Sequence, residues 1–424
     1  MADRPGPRPP GPRGDRWSGN FADYAVDPLG FLSRCAAEFG DVVLLGEHNV
    51  LVVHPDEVER ILVDRDRSVV KDRPNLRRRA HTGFPRAMMN SEGGDWLRKR
   101  RRLQPVFRPE RLAALAAGAE AEVDRTVAGW RDGELLDIHP EMARLALTVA
   151  STHLLGASAG EAAESVQRAV EAIMRLTATP MRLPAWFPSP VNLALRRSLA
   201  ELDRNLDAII ARPSAGPGHD TVLGLLKGAD PPLDPAEIHD ELATLLMSGY
   251  ETTAEALTWL WYLVGTHPGV DRRLSAEAGD PAGAYLDAVV KEVMRLYPPA
   301  WVTSRETAAP VELGGYPVPA GTTVTVSQWV THRDERWYAA PLVFDPARWL
   351  DGGPPHRYAY FPFGGGPRGC IGASMALREI AVITAALRSR VRFELVEPDG
   401  VRPRPALTLQ PRGVRAVVRK LPAG

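Results

Sequence analysis

Apolar residues recur with a helical period through the middle of the chain and form short, strand-like runs near both ends. Two such runs, Val42–Leu45 and Val50–Val53, flank the turn at 46–49 and predict a β-hairpin. From about residue 94 to 300 the chain is rich in Ala, Leu, Arg and Glu, which predicts helices. Breaks dense in Pro or Gly are expected at 180–190, 212–220 and 228–235.

Beyond residue 300 the pattern changes to short strands separated by turns. Val311–Val326 is expected to form strands around its glycines, and Val391–Val396 and Val414–Lys420 are expected to form two more. A helix over Gly372–Ser389 is predicted just before these last two strands. The pattern therefore predicts a mainly α fold with a smaller β-rich portion.

Composition and charge narrow the class of protein. Of 424 residues, 44% are hydrophobic and 25% are charged, which indicates a globular protein with a large core. We expect one catalytic domain over residues 21–424 and a flexible arm rich in Pro, Gly and Arg at 1–20. Lys plus Arg and Asp plus Glu each total 52, so we expect no nucleic-acid or membrane partner. The N-terminal residues lack the apolar core of a signal peptide, which predicts a soluble, cytoplasmic protein.

The two cysteines, Cys35 and Cys370, are too few for a disulfide framework or a multi-cysteine zinc or iron–sulfur site. The second lies in segment 361–372, which contains five glycines and precedes the predicted helix. A helix N-terminus favours a thiolate, and a thiolate held in this way can bind iron. Two other interpretations are a buried small hydrophobic residue and a phosphate-binding loop, but no Gly-Lys-Ser/Thr or GxGxxG pattern supports the loop.

This segment resembles the haem-binding signature of the cytochrome P450 family, Phe-x-x-Gly-x-Arg-x-Cys-x-Gly. The matching positions are Phe363, Gly366, Arg368, Cys370 and Gly372. The resemblance implies haem b with the Cys370 thiolate as its proximal ligand and O2 as co-substrate. It also implies that Phe363 packs beside the sulfur and that Arg368 reaches a haem propionate. Met375 stands where the family often has Phe, and methionine fills similar space.

A second match involves Glu292 and Arg295, which share a helix face at i and i+3. Alone, such a pair carries little meaning, because surface ion pairs are common. Together with Arg348, downstream, it is similar to the family's Glu-x-x-Arg motif and later arginine. The resemblance implies a buried Glu292–Arg295–Arg348 network near the haem-binding core.

A third match lies in a helix predicted to begin at Asp234-Pro235, with Asp as N-cap, and to end near Gly265. Its segment Ser248-Gly249-Tyr250-Glu251-Thr252-Thr253 is similar to the family's Ala/Gly-Gly-x-Asp/Glu-Thr-Thr/Ser. The resemblance implies that Glu251 and Thr252 are a catalytic acid–alcohol pair that delivers protons to bound oxygen. Ser248 departs from the pattern, and its hydroxyl could bond substrate or its own helix backbone.

A fourth match, Trp96 and Arg100, places two residues one helical turn apart. The family's similar pair contacts a haem propionate, and Arg305 resembles another propionate-binding arginine. The remaining arginines of this basic run, Arg98, Arg101 and Arg102, are expected to dock an acidic ferredoxin or flavodoxin-type electron donor. That donor would in turn be reduced by a reductase that uses NAD(P)H.

The resemblance runs from about residue 27 to 418 and implies the family's triangular, mostly helical fold. It implies a monomeric monooxygenase that hydroxylates or epoxidises a small apolar molecule, such as a terpenoid, fatty acyl chain or polyketide of bacterial secondary metabolism. A peroxide-driven enzyme and a non-catalytic biosynthetic helper are the alternatives. By analogy, the substrate pocket would include the following residues: Phe84, Met88, Ser248, Trp301, Val302 and Leu407.

Overall fold

The computed structural model describes residues 7–15, 19–64, 66–72, 84–108, 112–156, 159–177, 183–184, 186–212, 221–277 and 280–422. The chain comprises two compact units, the first from residues 1–77 and 294–370 and the second from 78–293 and 371–424. The helices are α1 (Phe21–Val26), α2 (Pro28–Phe39), α3 (Pro55–Val63), α4 (Gly93–Leu103), α5 (Ala113–Gly129), α6 (Ile138–Leu155), α7 (Ala159–Thr177), α8 (Pro190–Ala211), α9 (Val222–Lys227), α10 (Pro235–Thr266), α11 (Pro268–Ser275), α12 (Ala284–Leu296), α13 (Gln328–Thr331) and α14 (Ala373–Arg388). The strands are β1 (Val42–Gly46), β2 (Asn49–Val52), β3 (Val69–Lys71), β4 (Leu135–Asp137), β5 (Thr303–Thr307), β6 (Val311–Leu313), β7 (Tyr316–Val318), β8 (Thr323–Val326), β9 (Val391–Val396), β10 (Arg402–Pro405), β11 (Leu409–Arg412) and β12 (Arg415–Lys420).

The first unit is built on a five-stranded sheet of order β1-β2-β8-β5-β3. The predicted hairpin is confirmed, because β1 and β2 pair antiparallel with Val42 opposite Val52. Strand β8 runs parallel to β2, and the other pairs in this sheet are antiparallel. Valines of β1, β2 and β8 share one apolar cluster with Ile61 and Leu62 of α3. Burial of this cluster holds the sheet against the helix.

The N-terminal residues 7–15 lie against β1. The Leu44 amide donates to the Pro10 carbonyl oxygen at 2.8 Å, and Asn20 donates to Leu45 at 3.0 Å. At Gly11 the two backbones are so close that a Cβ would lie 2.0 Å from the Leu44 carbonyl oxygen. The flexibility of the whole arm at 1–20 and the single domain over 21–424 stay predictions.

The second unit is organised around α10. The Asp234 side chain accepts a hydrogen bond from the Ala236 amide at 3.0 Å, and Pro235 occupies the first helical position. The helix then runs without interruption to Thr266, about 48 Å at 1.5 Å per residue. The predicted start is confirmed, and the end lies within a residue of the prediction. Helix α10 packs against α6, α8 and α14, so most of its apolar side chains are buried.

The β-structure of this unit consists of the sheet β4-β12-β9 and the hairpin β10-β11. Strands β9 and β12 and helix α14 confirm the three elements predicted near the C-terminus. Strand β4 was not predicted, because it lies inside a segment with a helical composition. It forms because its three residues pair with β12, almost three hundred residues later. Among the described residues, no helix is both long enough and apolar enough to cross a membrane.

Candidate active site

The cysteine loop closes the first unit and depends on glycines with left-handed backbone angles. Gly366 has φ +62°, and a Cβ there would lie 2.0 Å from the Leu62 carbonyl oxygen. Beyond this turn, the Cys370 amide donates to the Phe363 carbonyl oxygen at 2.9 Å. Only glycine satisfies both the backbone angle and the close approach at residue 366. The loop therefore holds the backbone of Cys370 in one defined conformation.

A buried histidine anchors the start of this loop. The Phe361 amide donates to His332 Nε2 at 2.9 Å. Burial, and then the charges of Arg295 and Arg333, hold the pKa of His332 well below its usual range. The ring is therefore neutral and can accept this bond.

The two cysteines have opposite environments. Cys35 is buried, and its burial raises the pKa of its thiol to about 11. Cys370 is exposed, so the interpretation as a small buried hydrophobic residue describes Cys35 and not Cys370. Within the described residues, no group of three His, Cys, Asp or Glu side chains is placed to hold a metal ion. The exposed Cys370 thiol can supply one ligand to a metal that a macrocycle already holds, as in haem.

Other predicted residues of the first unit lie on the sheet and in the cysteine loop. Arg305 is in β5, opposite Val324 of β8, and donates to the Ser304 carbonyl oxygen at 2.9 Å. Arg368 ends the short turn that begins at Gly366. Trp301 is 4% exposed, and its carbonyl oxygen accepts bonds from the Trp329 amide and the Ser327 hydroxyl. Val302, next to it, is partly buried, as is Phe363.

Arg295 and Arg348 converge on one stretch of backbone. Arg295 is fully buried and donates to the carbonyl oxygens of His332, Pro341 and Val343 at 2.8, 2.6 and 3.2 Å. Arg348 donates to the Ala339 carbonyl oxygen at 2.9 Å and also reaches that of Val343. These two arginines thus fix the segment 339–343 together. Glu292 is also fully buried, and its place in the network stays a prediction.

In the second unit, helix α4 carries Trp96 and Arg100, which are both partly buried. The neighbouring basic residues do not form one solvated face. Arg98 forms ion pairs with Asp95 at 2.8 Å and with Glu237 at 2.9 Å. Its charge is therefore compensated within the chain, whereas Arg101 is exposed.

Lys99 was not singled out from the sequence, and it is buried. Its Nζ donates to the Arg86 carbonyl oxygen, the Ser91 hydroxyl and the Asp95 carboxylate. Burial acts to raise the pKa of Asp95, but hydrogen bonds from Lys99, Ser91 and Arg98 outweigh it and lower that pKa to about 2. This cluster joins α4 to the segment 84–91.

Two carboxylates of α10 hold the same segment, which contains Phe84 and Met88. The Arg86 amide donates to Asp240 at 2.8 Å, and the Met88 amide donates to Glu241 at 2.7 Å. Burial raises the pKa of Glu241 to about 7, although the Met88 amide acts to lower it. Sequence reasoning missed both carboxylates, because their partners are backbone amides some 150 residues away.

The hydroxyl groups around Glu251 bond to the helix that carries them. Ser248 Oγ donates to the Thr244 carbonyl oxygen at 2.6 Å, and Thr252 Oγ1 donates to that of Ser248 at 3.0 Å. Of the two roles left open for Ser248, the structure shows the bond to its own backbone. Such bonds to the i−4 carbonyl satisfy a hydroxyl without a partner from another element.

Glu251 is buried and faces other elements of the second unit. Its Oε1 accepts a hydrogen bond from Gln410 Nε2 of β11 at 3.2 Å and lies 3.8 Å from His139 Nε2 of α6. These groups line a cavity of about 430 Å³. Consecutive helical residues point about 100° apart, so the partly exposed Thr252 faces a different direction. The spacing of the motif contained no sign of His139 or Gln410.

Leu407 and Gly372 complete the predicted set in this unit. Leu407 lies between β10 and β11 and is 44% exposed. Gly372 precedes α14, and its carbonyl oxygen accepts the Ala376 amide at 2.9 Å. Met375, the departure from the haem signature, is buried in the first turn of this helix.

Comparisons with known proteins show which family the chain resembles. The Cytochrome P450 family model matches residues 9–417. Cyclooctatin synthase of Streptomyces melanosporofaciens is 32% identical over 96% of this chain and 94% of its own length. Cyclooctat-9-en-7-ol 5-monooxygenase of the same species is 34% identical over 87% and 86%. Pentalenene oxygenase of Streptomyces avermitilis is 32% identical over 92% of both chains.

Two solved structures show a similar fold. The retinoic acid-bound cyanobacterial CYP120A1 has a TM-score of 0.86 at 24% identity, with 98% of this chain and 99% of that chain covered. A six-coordinated cytochrome P450 from Thermus thermophilus has a TM-score of 0.75 at 28% identity, with 93% and 98% covered. These overlaps confirm the predicted fold class, mainly α with a smaller β-rich portion.

Proposed function

The chain belongs to the cytochrome P450 family of monooxygenases, and from this premise we propose how it works. The Cys370 thiolate would hold haem b as the cofactor, and O2 would be the co-substrate. The enzyme receives two electrons from a separate protein and hydroxylates or epoxidises a small apolar molecule. When bound, the haem supplies the activation of dioxygen and its insertion into the substrate.

The observation that carries this proposal is the exposed thiol of Cys370 on a turn that only glycine can form. The Gly366 approach to Leu62 and the bond from the Cys370 amide to Phe363 fix the backbone on which the sulfur is presented. From this position the Cys370 thiolate would hold the haem iron and supply electron density to it. Phe363 is proposed to pack beside the sulfur and limit its contact with water.

Four side chains are proposed to hold the two haem propionates. They are Trp96, Arg100, Arg305 and Arg368, the residues for which the family resemblance implies this role. A guanidinium group matches a carboxylate with two parallel hydrogen bonds, and the indole N–H adds one donor. The cluster around Lys99 and Asp95 supports this role, because it fixes α4 on the segment that contains Met88.

Glu251 and Thr252 are proposed to handle protons on α10. Glu251 can bind a proton at a carboxylate oxygen and release it toward the oxygen-binding side. Thr252 can donate its hydroxyl proton forward once the bond to the Ser248 carbonyl oxygen opens. Their different directions on the helix suit a transfer from the interior of the unit to its accessible side.

The proposed substrate is a terpenoid, the first of the three classes expected from the sequence. Two relatives are named for cyclooctat-9-en-7-ol and for pentalenene, which favours this class. The residues proposed to supply apolar contacts are those expected from the family resemblance: Phe84, Met88, Trp301, Val302 and Leu407. Ser248 is proposed to act toward the substrate only as a hydrogen-bond acceptor, because its hydroxyl already donates to the Thr244 carbonyl oxygen.

Electron delivery is proposed to come from an acidic ferredoxin or flavodoxin-type donor and its NAD(P)H-dependent reductase. Arg101 and Arg102 are the proposed docking residues, because the charge of Arg98 is compensated by Asp95 and Glu237. Attraction between opposite charges would raise the association rate more than the final affinity. That contribution would weaken as salt is added.

The absorption spectrum of the dithionite-reduced protein, before and after carbon monoxide, tests the proposal. We expect a strongly red-shifted Soret band in the wild type and in Cys35→Ala, and its loss in Cys370→Ala. An unchanged band in Cys370→Ala, or no bound haem in the wild type, would contradict the assignment. Turnover with hydrogen peroxide but not with reductase and O2 would instead support the peroxide-driven alternative.

A further inference from the structure

We infer that the cavity behind Glu251 is the route by which protons reach this carboxylate from solvent, and that His139 passes them. The inference rests on the proposed function, since it deepens the role given to Glu251. It concerns a different step, the supply of protons to Glu251 and not their delivery to oxygen. All residues that carry it belong to the second unit.

The cavity lies on the side of α10 to which Glu251 points. Its volume is about 430 Å³, and α6, α7, α10 and the hairpin β10-β11 line it. Several lining groups are polar or charged: His139, Glu171, Glu251, Arg404 and Gln410. A polar cavity of this size can hold several water molecules, because each occupies about 30 Å³ in the liquid. Protons can therefore cross it along hydrogen-bonded water.

His139 spans the distance between solvent and Glu251. Its side chain is 24% exposed, yet Nε2 is buried and has no hydrogen-bond partner among the described residues. That nitrogen lies 3.8 Å from Glu251 Oε1, just beyond a direct bond and within reach of a small rotation or one bridging water. An imidazole ring has two nitrogens, so it can take up a proton at one and release a proton from the other.

The Glu251 carboxylate is held toward this side of the helix. Gln410 Nε2 donates to the oxygen that faces His139, at 3.2 Å. The strand that carries Gln410 is itself tied to α10, because Trp259 Nε1 donates to the Leu409 carbonyl oxygen at 3.1 Å. Since an amide donor supports a carboxylate without competing for its proton, Gln410 is a positioning residue.

A second carboxyl group on the same helix face could compete for the proton. Glu255 is fully buried one turn after Glu251, and its Oε1 accepts from Thr408 Oγ1 at 2.6 Å. Burial, and then the charge of Glu251, raise the pKa of Glu255 well above its usual range. The residues that line the cavity include Glu251 and not Glu255, so Glu251 is the carboxyl group that exchanges protons with it.

The transfer moves one proton and no electrons. His139 takes a proton from a hydronium ion at one ring nitrogen and releases the proton of Nε2 to Glu251 Oε1. The carboxylate becomes a carboxylic acid, and the imidazole returns to its neutral form. The imidazole then carries its proton on the other ring nitrogen, and exchange with water restores the proton on Nε2. When Glu251 has passed its proton on toward Thr252, the cycle can repeat.

The activity test compares oxygen consumption by the haem-loaded enzyme in H2O and in D2O, driven by a ferredoxin and its reductase. In His139→Gln we expect the rate to fall about tenfold and the solvent isotope effect to rise, because glutamine is polar and similar in size but cannot take up one proton and release another. Gln167→Ala, which changes another cavity residue bonded to Glu171, should behave like the wild type. An unchanged isotope effect in His139→Gln would overturn the inference.

Glu255 supplies a second comparison. Glu255→Gln keeps the shape of the side chain and the acceptor for Thr408, so its rate and isotope effect should stay near those of the wild type. Glu251→Gln should reduce the rate at least about a hundredfold. If Glu255→Gln lost as much activity as Glu251→Gln, the assignment of the exchanging carboxylate would be wrong.

A labelling experiment tests access to the cavity without any turnover. His139→Cys should react with a small thiol reagent at least about tenfold faster than Ser151→Cys, which replaces a fully buried residue of the same helix. Intact mass would separate the new site from the native cysteines. An inert residue 139 would show that the cavity is closed and would overturn the inference. If residue 139 reacts but the wild type lacks the red-shifted Soret band that depends on Cys370, the proposed function fails. The access of solvent to the cavity would still be supported.

Discussion

Glu241 joins the predicted substrate segment to α10, and its ionisation is expected to govern stability near neutral pH. The side chain is only 2% exposed and accepts one bond, from the Met88 amide, at 2.7 Å. Its burial raises the pKa from 4.5 to about 7. Glu241→Gln keeps an oxygen for the Met88 amide and removes the ionisable group, so it isolates the effect of the charge.

The sign follows from proton binding in the two states. Between about pH 4.5 and pH 7 the folded protein holds the Glu241 proton, whereas the unfolded chain has released it. The free energy of unfolding therefore falls as pH rises through this window. With about 1.4 kcal/mol per pKa unit, a shift of about 2.5 units amounts to about 3 kcal/mol. Glu241→Gln avoids this loss and should be more stable than the wild type at about pH 8 by up to that amount.

Urea unfolding of the haem-loaded protein from about pH 5 to about pH 8 measures the difference. The gap between Glu241→Gln and the wild type should widen with pH and level off above pH 7. Glu120→Gln, which removes an exposed carboxylate of α5, should follow the wild type at every pH. A constant gap, or a variant less stable than the wild type at high pH, would refute the reasoning.

Three further changes have expected outcomes. Gly366→Ala should lower the free energy of unfolding by more than about 3 kcal/mol and reduce the haem content. The control is Gly46→Ala, whose added Cβ meets no neighbour within 4 Å and which should retain haem. Equal haem content in the two variants would count against the role of the turn. Asp95→Asn should lower the free energy of unfolding by about 1 kcal/mol, a value reduced because the Asp95 side chain is half exposed. The wild type loses this stability only as pH falls from about 4 toward 2, and circular dichroism during acid titration checks this. Arg295→Met leaves three carbonyl oxygens without this donor and should lower the free energy of unfolding by about 3 kcal/mol or more. The measurement is the midpoint of urea unfolding, which should fall. An unchanged midpoint would contradict the buried network.

The sequence by itself determined the features whose cause lies within a few neighbouring residues. The cap of α10 follows from Asp234 and Pro235, the first hairpin from two apolar runs around a turn, and the cysteine loop from its glycines. Dihedral preferences and local hydrogen bonds act over three or four residues, so a pattern in the sequence suffices to predict them. The motif around Cys370 could be found for the same reason.

Only the tertiary structure decided which groups of different elements meet. Strand β4 forms inside a helical composition because β12 pairs with it, and Lys99 is buried because Asp95, Ser91 and the backbone of Arg86 surround it. The approach of His139 to Glu251 is of the same kind. These contacts depend on how close residues of separate elements come in space, and on the burial that results. Burial in turn sets the pKa of a carboxylate such as Glu241, which no local pattern encodes.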